Sequence, residues 1–214
     1  MPPGSFPPLY AILDVDQAVG GAGNLALVLS RAGVQIIQLR DKRASAPKIY
    51  EVAQKLVASL LPAGVGVIIN DRPDIAVMIG AAGTHVGQED LPVEDARRIC
   101  ASPRWVGVST HNLEQFRQAA LTSADYIAVG PIFPTATKEN PDPIVGLEFV
   151  RIARKLTKKP LVAIGGITVE SAGAVFQAGA DCVAVVQELN FASDPAARAK
   201  EFLAIAERAR RAQI

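Results

Sequence analysis

Short apolar runs recur along this chain at nearly regular intervals, and this rhythm restricts the fold more than any other feature. They occupy residues 9–14, 34–40, 65–71, 84–87, 105–110, 125–130, 161–166 and 182–186. A spacing of roughly 20–30 residues is typical of strand–helix units. Each run is continuously apolar rather than alternating, which indicates parallel strands covered on both faces. The chain is therefore predicted to contain eight parallel β-strands.

Amphipathic stretches rich in alanine and leucine lie between the runs and complete the repeated unit. The stretch 45–60, for example, starts with Ser45 as a predicted helix cap and carries Pro47 in its first turn, where proline is tolerated. Eight such units without a linker-like break predict an α/β fold, a single-domain (β/α)8 TIM barrel over residues 9–214. A doubly wound sheet is the alternative, but eight strands in so short a chain favour closure. Residues 1–8 are proline-rich, and we predict a flexible tail there.

Charge and cysteine content exclude several classes of function. Lysine and arginine number 22 against 21 acidic residues, so no overall field attracts nucleic acid or a membrane surface. Cys100 and Cys182 are too few for a disulfide framework, and Cys182 lies in an apolar run where a small buried side chain is expected. No apolar run reaches membrane-spanning length, and the first residues do not resemble a signal peptide. We predict a cytoplasmic protein with neither nucleic-acid nor membrane partners; homo-oligomerisation is left open.

Polar residues gather where the predicted strands end. In a (β/α)8 barrel, the C-terminal strand ends and the loops after them form the active face. One of these loops, VGPIFPTATKENPDP at residues 129–143, is long and irregular, which usually indicates binding. The polar residues at the predicted rim include Asp14, Gln38, Arg40, Lys42, Asn70, Asp71, Gln88, Asp90, Ser109, His111, Thr135, Thr137 and Lys138.

The charges at this rim have both signs. Arg40, Lys42 and Lys138 come from separate loops and would converge on a polyanion. Asp71 and Asp90 would repel a bare anion, but Mg²⁺ is commonly held by one or two carboxylates together with substrate phosphates. Two glycines, Gly165 and Gly166, follow the seventh run and would let backbone N–H groups approach a second phosphate. The pattern predicts group transfer between two phosphorylated small-molecule substrates.

Each of these residues also has a purely structural interpretation. Arg40 and Lys42 would serve as a solvated face, Asp71 would cap the following helix, and the glycine pair would form a turn. His85 is predicted to be packed or hydrogen-bonded rather than a ligand. The structural interpretations lose force together, because seven strand ends would each need a separate explanation.

Six motifs in a fixed order give a family resemblance. They are QLRDK, NDR, HVGQEDL, GVSTH, GPIFPTATK and IGGI. Together they resemble thiamine phosphate synthases, and the similarity runs from residue 9 to the last predicted helix. The resemblance implies a (β/α)8 barrel that joins hydroxymethylpyrimidine diphosphate to a thiazole phosphate, or to its carboxylated form. The products would be thiamine phosphate and pyrophosphate.

The resemblance also implies roles for individual residues. Asp71 and Asp90 would bind Mg²⁺, while Arg40, Lys42 and Lys138 would act in catalysis by stabilising the departing pyrophosphate. No protein nucleophile would be needed, since the pyrimidine substrate ionises before the thiazole nitrogen attacks. Lys138→Ala and Asp71→Ala are expected to lose turnover and to leave the fold intact, since one lost electrostatic contact can cost on the order of 10²–10³ in rate. The pyrimidine diphosphate would contact Gln38, Leu39, Arg40, Asp41, Lys42, Asn70, Ser109 and Lys138, and the thiazole phosphate would contact Thr135, Ala136, Thr137, Gly166, Val186 and Gln187.

The residues after the eighth apolar run depart from the family pattern, and other functions remain as alternatives. Gln187 and Glu188 stand where small residues are common in the family. Gln187 would be tolerated if backbone amides bind the phosphate, whereas Glu188 would be unfavourable there unless it points away. One rival is an isomerase like the thiazole tautomerases, with His111 as its acid or base. A non-catalytic barrel that senses a phosphorylated ligand is another. A phosphate-handling barrel of the epimerase or tryptophan-pathway type would explain IGGI but not GPIFPTATK.

Overall fold

The predicted strands close into a barrel. The computed structural model describes residues 6–15, 21–135 and 142–212. Within them, eight parallel strands pair in sequence order, and the eighth pairs with the first. The α/β (β/α)8 prediction is confirmed, and closure excludes the doubly wound sheet. The strands are β1 Leu9–Asp14, β2 Ile36–Arg40, β3 Gly66–Asn70, β4 Gly83–Val86, β5 Trp105–Thr110, β6 Tyr126–Val129, β7 Leu161–Ile164 and β8 Cys182–Val185.

Helices follow the strands and cover the outside of the barrel. The second begins after Ser45, with proline in its first turn as predicted, although the Ser45 side chain makes no capping hydrogen bond. None of the helices in the described ranges combines the length and apolar character that a membrane crossing requires. The helices are α1 Ala22–Arg31, α2 Ala46–Leu60, α3 Pro73–Met78, α4 Val93–Ile99, α5 Leu113–Leu121, α6 Gly146–Leu156, α7 Val169–Gln177, α8 Gln187–Asn190 and α9 Pro195–Arg211.

Strand residues alternate between two separate apolar clusters. In β1, Leu9, Ala11 and Leu13 pack outward against the helices, while Tyr10 and Ile12 point into the barrel. The same alternation continues around the barrel, and it explains why the runs are apolar at every position. Cys182 is one of the buried inward residues, as predicted. The alternation also decides which residue at each strand end faces the centre of the barrel.

Aromatic side chains fill the end of the barrel at which the strands begin. Phe6 is buried and stacks on Trp105, the first residue of β5, with ring centroids 5.0 Å apart. Its ring centroid also lies 5.0 Å from that of Tyr126. Phe6 and Pro7 are both buried, so they pack with the barrel although they lie within the predicted flexible tail of residues 1–8. Residues 1–5 lie outside the described ranges.

Candidate active site

The C-terminal strand ends bring the predicted rim residues to one face, here called the mouth of the barrel. Arg40 ends β2 directly opposite Asp14 of β1, and Arg40 Nη1 lies 2.9 Å from Asp14 Oδ2. Both side chains are largely buried, so this pair is held more firmly than a surface salt bridge. Asp14 thus orients Arg40. An arginine has five N–H donors, so others remain to bind an anion.

Lys42 and Asp71 form a second ion pair at the mouth. Lys42 Nζ lies 2.5 Å from Asp71 Oδ2, with the lysine side chain about half exposed and the aspartate mostly buried. Asp71 has a φ of 60°, the left-handed conformation that non-glycine residues seldom adopt and that aspartate tolerates better than most. Its amide donates to the His85 carbonyl across 2.8 Å, which fixes this backbone conformation.

Asp71 and Asp90 come together as the sequence predicts for a metal site. Burial raises the pKa of Asp71; the Lys42 hydrogen bond opposes this shift, and a hydrogen bond with Asp90 raises the pKa further. Asp90 is itself held by the Gly87 amide, 2.8 Å from its Oδ2. Two adjoining carboxylates in a partly buried place repel each other, and a divalent cation would relieve that repulsion.

The two carboxylates are compatible with a divalent cation such as Mg²⁺. The described residues contain no group of three or more histidine, cysteine or acidic side chains suited to a metal. Two carboxylates are too few to enclose a cation, but Mg²⁺ usually keeps waters and takes its remaining oxygens from substrate phosphates. The site is therefore suited to a metal that arrives with, or is completed by, a phosphorylated ligand.

A cleft of about 550 Å³ adjoins these carboxylates. It lies to the side of the mouth, where the loops after β3 and β4 meet α3 and α4. Four of its residues are acidic, and Asp71 and Asp90 are shared with the candidate metal site. The lining residues are Asp71, Arg72, Pro73, Asp74, Glu89, Asp90, Leu91, Pro92 and Ile99.

A chain of polar side chains crosses the inside of the barrel beneath the mouth, which the sequence analysis expected to be apolar. Gln38 Nε2 donates to Tyr10 Oη over 2.7 Å, and Tyr10 Oη lies 3.1 Å from Tyr126 Oη. Tyr126 Oη is 3.1 Å from His85 Nδ1, and His85 Nε2 is 2.8 Å from Ser109 Oγ. The prediction that His85 is hydrogen-bonded is thus confirmed. The inward position of Tyr10 and Tyr126 was the available signal, and it was missed.

A glycine in β5 leaves room for these hydrogen-bonded side chains. A side-chain carbon built on Gly107 would lie 2.0 Å from the Tyr126 ring, so any larger residue in β5 would displace the tyrosine. Tyr126 is completely buried, and it links the aromatic plug at one end of the barrel to the polar residues at the other.

Not every side chain of the predicted binding segment 38–42 faces the mouth. Gln38 and Arg40 face the interior and the mouth, while the Leu39 side chain packs outward among the helices. The Asp41 carboxylate accepts the amides of Arg43 and Ala44, at 3.0 and 2.7 Å, and so shapes the loop. For Leu39, only backbone atoms remain available to a ligand at the mouth.

The loop after β6 packs along the end of β7. The Ile132 amide donates to Ile164 and the Phe133 amide to Gly165, at 2.9 and 3.0 Å. Gly166 has a φ of 64°, and a side-chain carbon there would lie 2.3 Å from the Pro134 carbonyl oxygen. The glycine pair therefore has a packing role besides the predicted phosphate contact. Thr135 is the last described residue of this stretch; Ala136, Thr137 and Lys138 lie outside the described residues.

Helix α8, which follows Val186, is fastened to β1 by one side chain that the sequence analysis missed. Asn190 is buried; its Nδ2 donates to the carbonyls of Ile12 and Val186, at 2.8 and 2.7 Å, and its Oδ1 accepts the Asp14 amide at 3.3 Å. Glu188 Oε2 lies 3.5 Å from Arg198 Nη1 of α9. The Glu188 carboxylate therefore forms an ion pair with the last helix.

His111 is hydrogen-bonded through one ring nitrogen and has an acidic side chain near the other. Its Nδ1 lies 2.6 Å from the Gly130 carbonyl oxygen, and its Nε2 lies 3.5 Å from Asp142 Oδ2. The first contact requires a hydrogen on Nδ1, since a carbonyl only accepts. His111 thus holds the loop after β6 through its Nδ1 hydrogen bond.

The chain is similar to known proteins along most of its length. The family model described as thiamine monophosphate synthase matches residues 9–189. A thiamine-phosphate synthase of Koribacter versatilis is 47% identical over 205 residues, covering 94% of this chain and 96% of the relative. One from Syntrophomonas wolfei is 42% identical over 178 residues, covering 83% and 85%. The solved thiamine phosphate pyrophosphorylase of Pyrococcus furiosus superposes with a TM-score of 0.85 at 30% identity, covering 94% of this chain and 96% of that one.

Proposed function

Since the chain belongs to the thiamine monophosphate synthase family, we propose that the mouth of its barrel performs the family's condensation, with Mg²⁺ held by Asp71 and Asp90. Hydroxymethylpyrimidine diphosphate and a thiazole phosphate, plain or carboxylated, give thiamine phosphate and pyrophosphate. The observation that carries this proposal is the grouping of Lys42, Asp71 and Asp90, two adjoining carboxylates beside a lysine at the strand ends.

The basic side chains account for binding and departure of the diphosphate. Arg40 is oriented by Asp14 and Lys42 is tethered by Asp71, so both are held near the carboxylates before substrate binds. Donors fixed in advance stabilise charge that develops in the transition state without having to reorganise. Mg²⁺ would add charge neutralisation on the phosphate oxygens. Lys138 is predicted to complete this set.

The reaction needs no protein nucleophile. The bond between the pyrimidine methylene carbon and the diphosphate oxygen breaks, the electron pair leaves with pyrophosphate, and the thiazole nitrogen attacks the resulting cation. The barrel's contribution is to hold both rings close together while charge develops.

The thiazole phosphate is proposed to bind between the loop after β6 and the start of α8. Thr135, Ala136, Thr137, Gly166, Val186 and Gln187 are the predicted contacts. The Glu188–Arg198 ion pair supports this position, because it removes an uncompensated carboxylate from the phosphate. Small-molecule substrates are consistent with a cytoplasmic protein that needs neither nucleic acid nor membrane.

The decisive experiment is a pyrophosphate-release assay with purified protein, both substrates and Mg²⁺, in which each component is omitted in turn. We expect release only when all are present, together with formation of thiamine phosphate. Release without the thiazole substrate, or isomerisation of the thiazole alone that depends on His111, would contradict the proposal.

Lys42→Met tests the role of the lysine. The variant should lose a factor on the order of 10²–10³ in turnover, the usual cost of one lost electrostatic contact to a developing charge. Lys55→Met is the matched control, since Lys55 lies on α2 and pairs only with Glu51 on the same helix among the described residues. Equal rates for both variants would remove Lys42 from the mechanism.

A further inference from the structure

The buried hydrogen bonds beneath the mouth run from donor to acceptor in one direction, which follows from the groups that they join. Gln38 offers an N–H to Tyr10, and an N–H cannot accept a hydrogen bond. The hydroxyl hydrogen of Tyr10 must therefore go to Tyr126, the other hydroxyl within reach at 3.1 Å. Tyr126 in turn directs its hydrogen to His85 Nδ1, also at 3.1 Å.

Both phenols retain the hydrogens that this direction requires. Tyr10 and Tyr126 are fully buried inside the barrel. Burial raises the pKa of both hydroxyls far above the ordinary value for tyrosine. Each phenol is therefore protonated at neutral pH and can donate one hydrogen bond.

The consequence for His85 is a defined tautomer. A neutral imidazole carries its hydrogen on one nitrogen and accepts at the other. Since Nδ1 accepts from Tyr126, the hydrogen lies on Nε2 and is donated to Ser109 Oγ, 2.8 Å away. The Ser109 oxygen is thereby used as an acceptor, so its own hydrogen remains for another partner.

We propose that Tyr10, Tyr126 and His85 form a directional hydrogen-bond relay that presents the Ser109 hydroxyl at the mouth as a donor. Ser109 would then favour a pyrimidine substrate that offers a ring nitrogen as acceptor. Tyr126 and His85 act through Ser109 and are positioning residues. The preference for the pyrimidine rests on the proposed function, whereas the direction of the relay does not.

Nitrogen NMR on histidine-labelled protein tests the direction without any substrate. The chain has two histidines, and they are expected to be opposite tautomers. His111 carries its hydrogen on Nδ1, facing Gly130, and serves as the internal reference. His85 should carry its hydrogen on Nε2 at a pH where both rings are neutral. His111→Asn assigns the two signals.

Tyr126→Phe removes the donor to His85 Nδ1 and leaves the ring stack. We expect the Nε2–H preference of His85 to be lost and the KM for the pyrimidine diphosphate to rise about 5- to 10-fold, as for one hydrogen bond. The KM for the thiazole phosphate should stay unchanged, which loss of structure alone would not produce. Tyr50→Phe, which removes an outer hydroxyl bonded to Gln54, is the matched control.

A hydrogen on His85 Nδ1 in the wild-type protein would reverse the relay and overturn the proposal. An unchanged tautomer and an unchanged KM in Tyr126→Phe would overturn it as well. If the wild-type protein formed no thiamine phosphate, the proposed function would fail, and the His85 tautomer would still decide whether the relay exists.

Discussion

Asp71 combines a strained backbone, a partly buried carboxylate and a neighbouring acid in one residue. Strained conformations of this kind persist where surrounding contacts enforce them, and they concentrate at functional sites. Here the His85 carbonyl holds the backbone and Lys42 holds the side chain. The arrangement is costly without a cation, which is what a site prepared for Mg²⁺ would show.

Asp71→Asn separates the charge from the geometry, because asparagine also tolerates a positive φ. The variant should lose pyrophosphate release by about 10²- to 10³-fold and should no longer be stabilised by Mg²⁺ with pyrophosphate in a thermal melt. Asp74→Asn provides a nearby control, since Asp74 pairs with Arg72 instead. Mg²⁺-dependent stabilisation that survives in Asp71→Asn would exclude this carboxylate as a ligand.

In the absence of metal, the effect of Asp71→Asn on the free energy of unfolding should depend on pH. The pKa of Asp71 is raised in the folded state, so its favourable contribution is present at acid pH and is lost as pH rises through the folded pKa. The Asp71→Asn variant has no carboxyl group to titrate at this position, so it does not lose stability in this way as pH rises. The free energy of unfolding of the wild-type protein, relative to the variant, should therefore fall with rising pH, as urea denaturation can measure.

At the scale of elements, α8 depends on contacts outside itself. It has four residues, far fewer than an isolated helix needs for stability. Asn190 fastens it to β1, and the Glu188–Arg198 pair fastens it to α9. The position of the predicted thiazole phosphate site is therefore set by a buried amide.

Asn190→Leu keeps the volume but leaves the Asp14 amide and the Ile12 carbonyl without this partner. We expect a loss of about 1–3 kcal/mol in the free energy of unfolding for each group left unsatisfied. The KM for the thiazole phosphate should rise more than that for the pyrimidine diphosphate. Glu188→Gln, at a partly exposed pair, should change stability much less; a larger effect there would mean that the ion pair dominates.

The strands could be predicted from the sequence, whereas some of the buried polar contacts between them could not. All eight strands lie within two residues of the predicted bounds, because burial on both faces leaves a local apolar signature. The proximity of Asp71 and Asp90 was also predictable, since both follow strand ends, and their role as metal ligands stays a prediction. Asn190 was missed because its partner Ile12 is 178 residues away, and nothing local marks that contact.

The polar relay was missed for a different reason. Tyrosine is compatible with an apolar strand, so Tyr10 and Tyr126 appeared to be ordinary core residues. Only the closed barrel brings five strands around one axis and shows that their hydroxyls meet. Likewise, the glycines after β7 suggested a phosphate site, but their packing against residues 131–134 required the three-dimensional structure.

At the scale of the whole molecule, stability depends on filling the end of the barrel opposite the mouth. Phe6 does this by packing against Trp105 and Tyr126. Phe6→Ala should lower the free energy of unfolding by roughly 3 kcal/mol, the low end for a buried phenylalanine. Trp105 is the only tryptophan, so its fluorescence during urea denaturation reports directly on this end.

Phe191→Ala is the control for the plug, because Phe191 is 55% exposed and its loss should cost far less. Equal unfolding midpoints for the two variants would show that Phe6 contributes little to the barrel.

The contact between Phe6 and the last helix has a practical consequence for experiments on surfaces. Arg210 of α9 donates to the Phe6 carbonyl at 3.0 Å, so the first described residue and the last long helix meet at the plugged end. A linker to a bead or sensor chip, added beyond either residue, would attach the molecule at the end opposite the mouth. The mouth would then face the solution, and immobilised protein should bind small ligands without obstruction from its support.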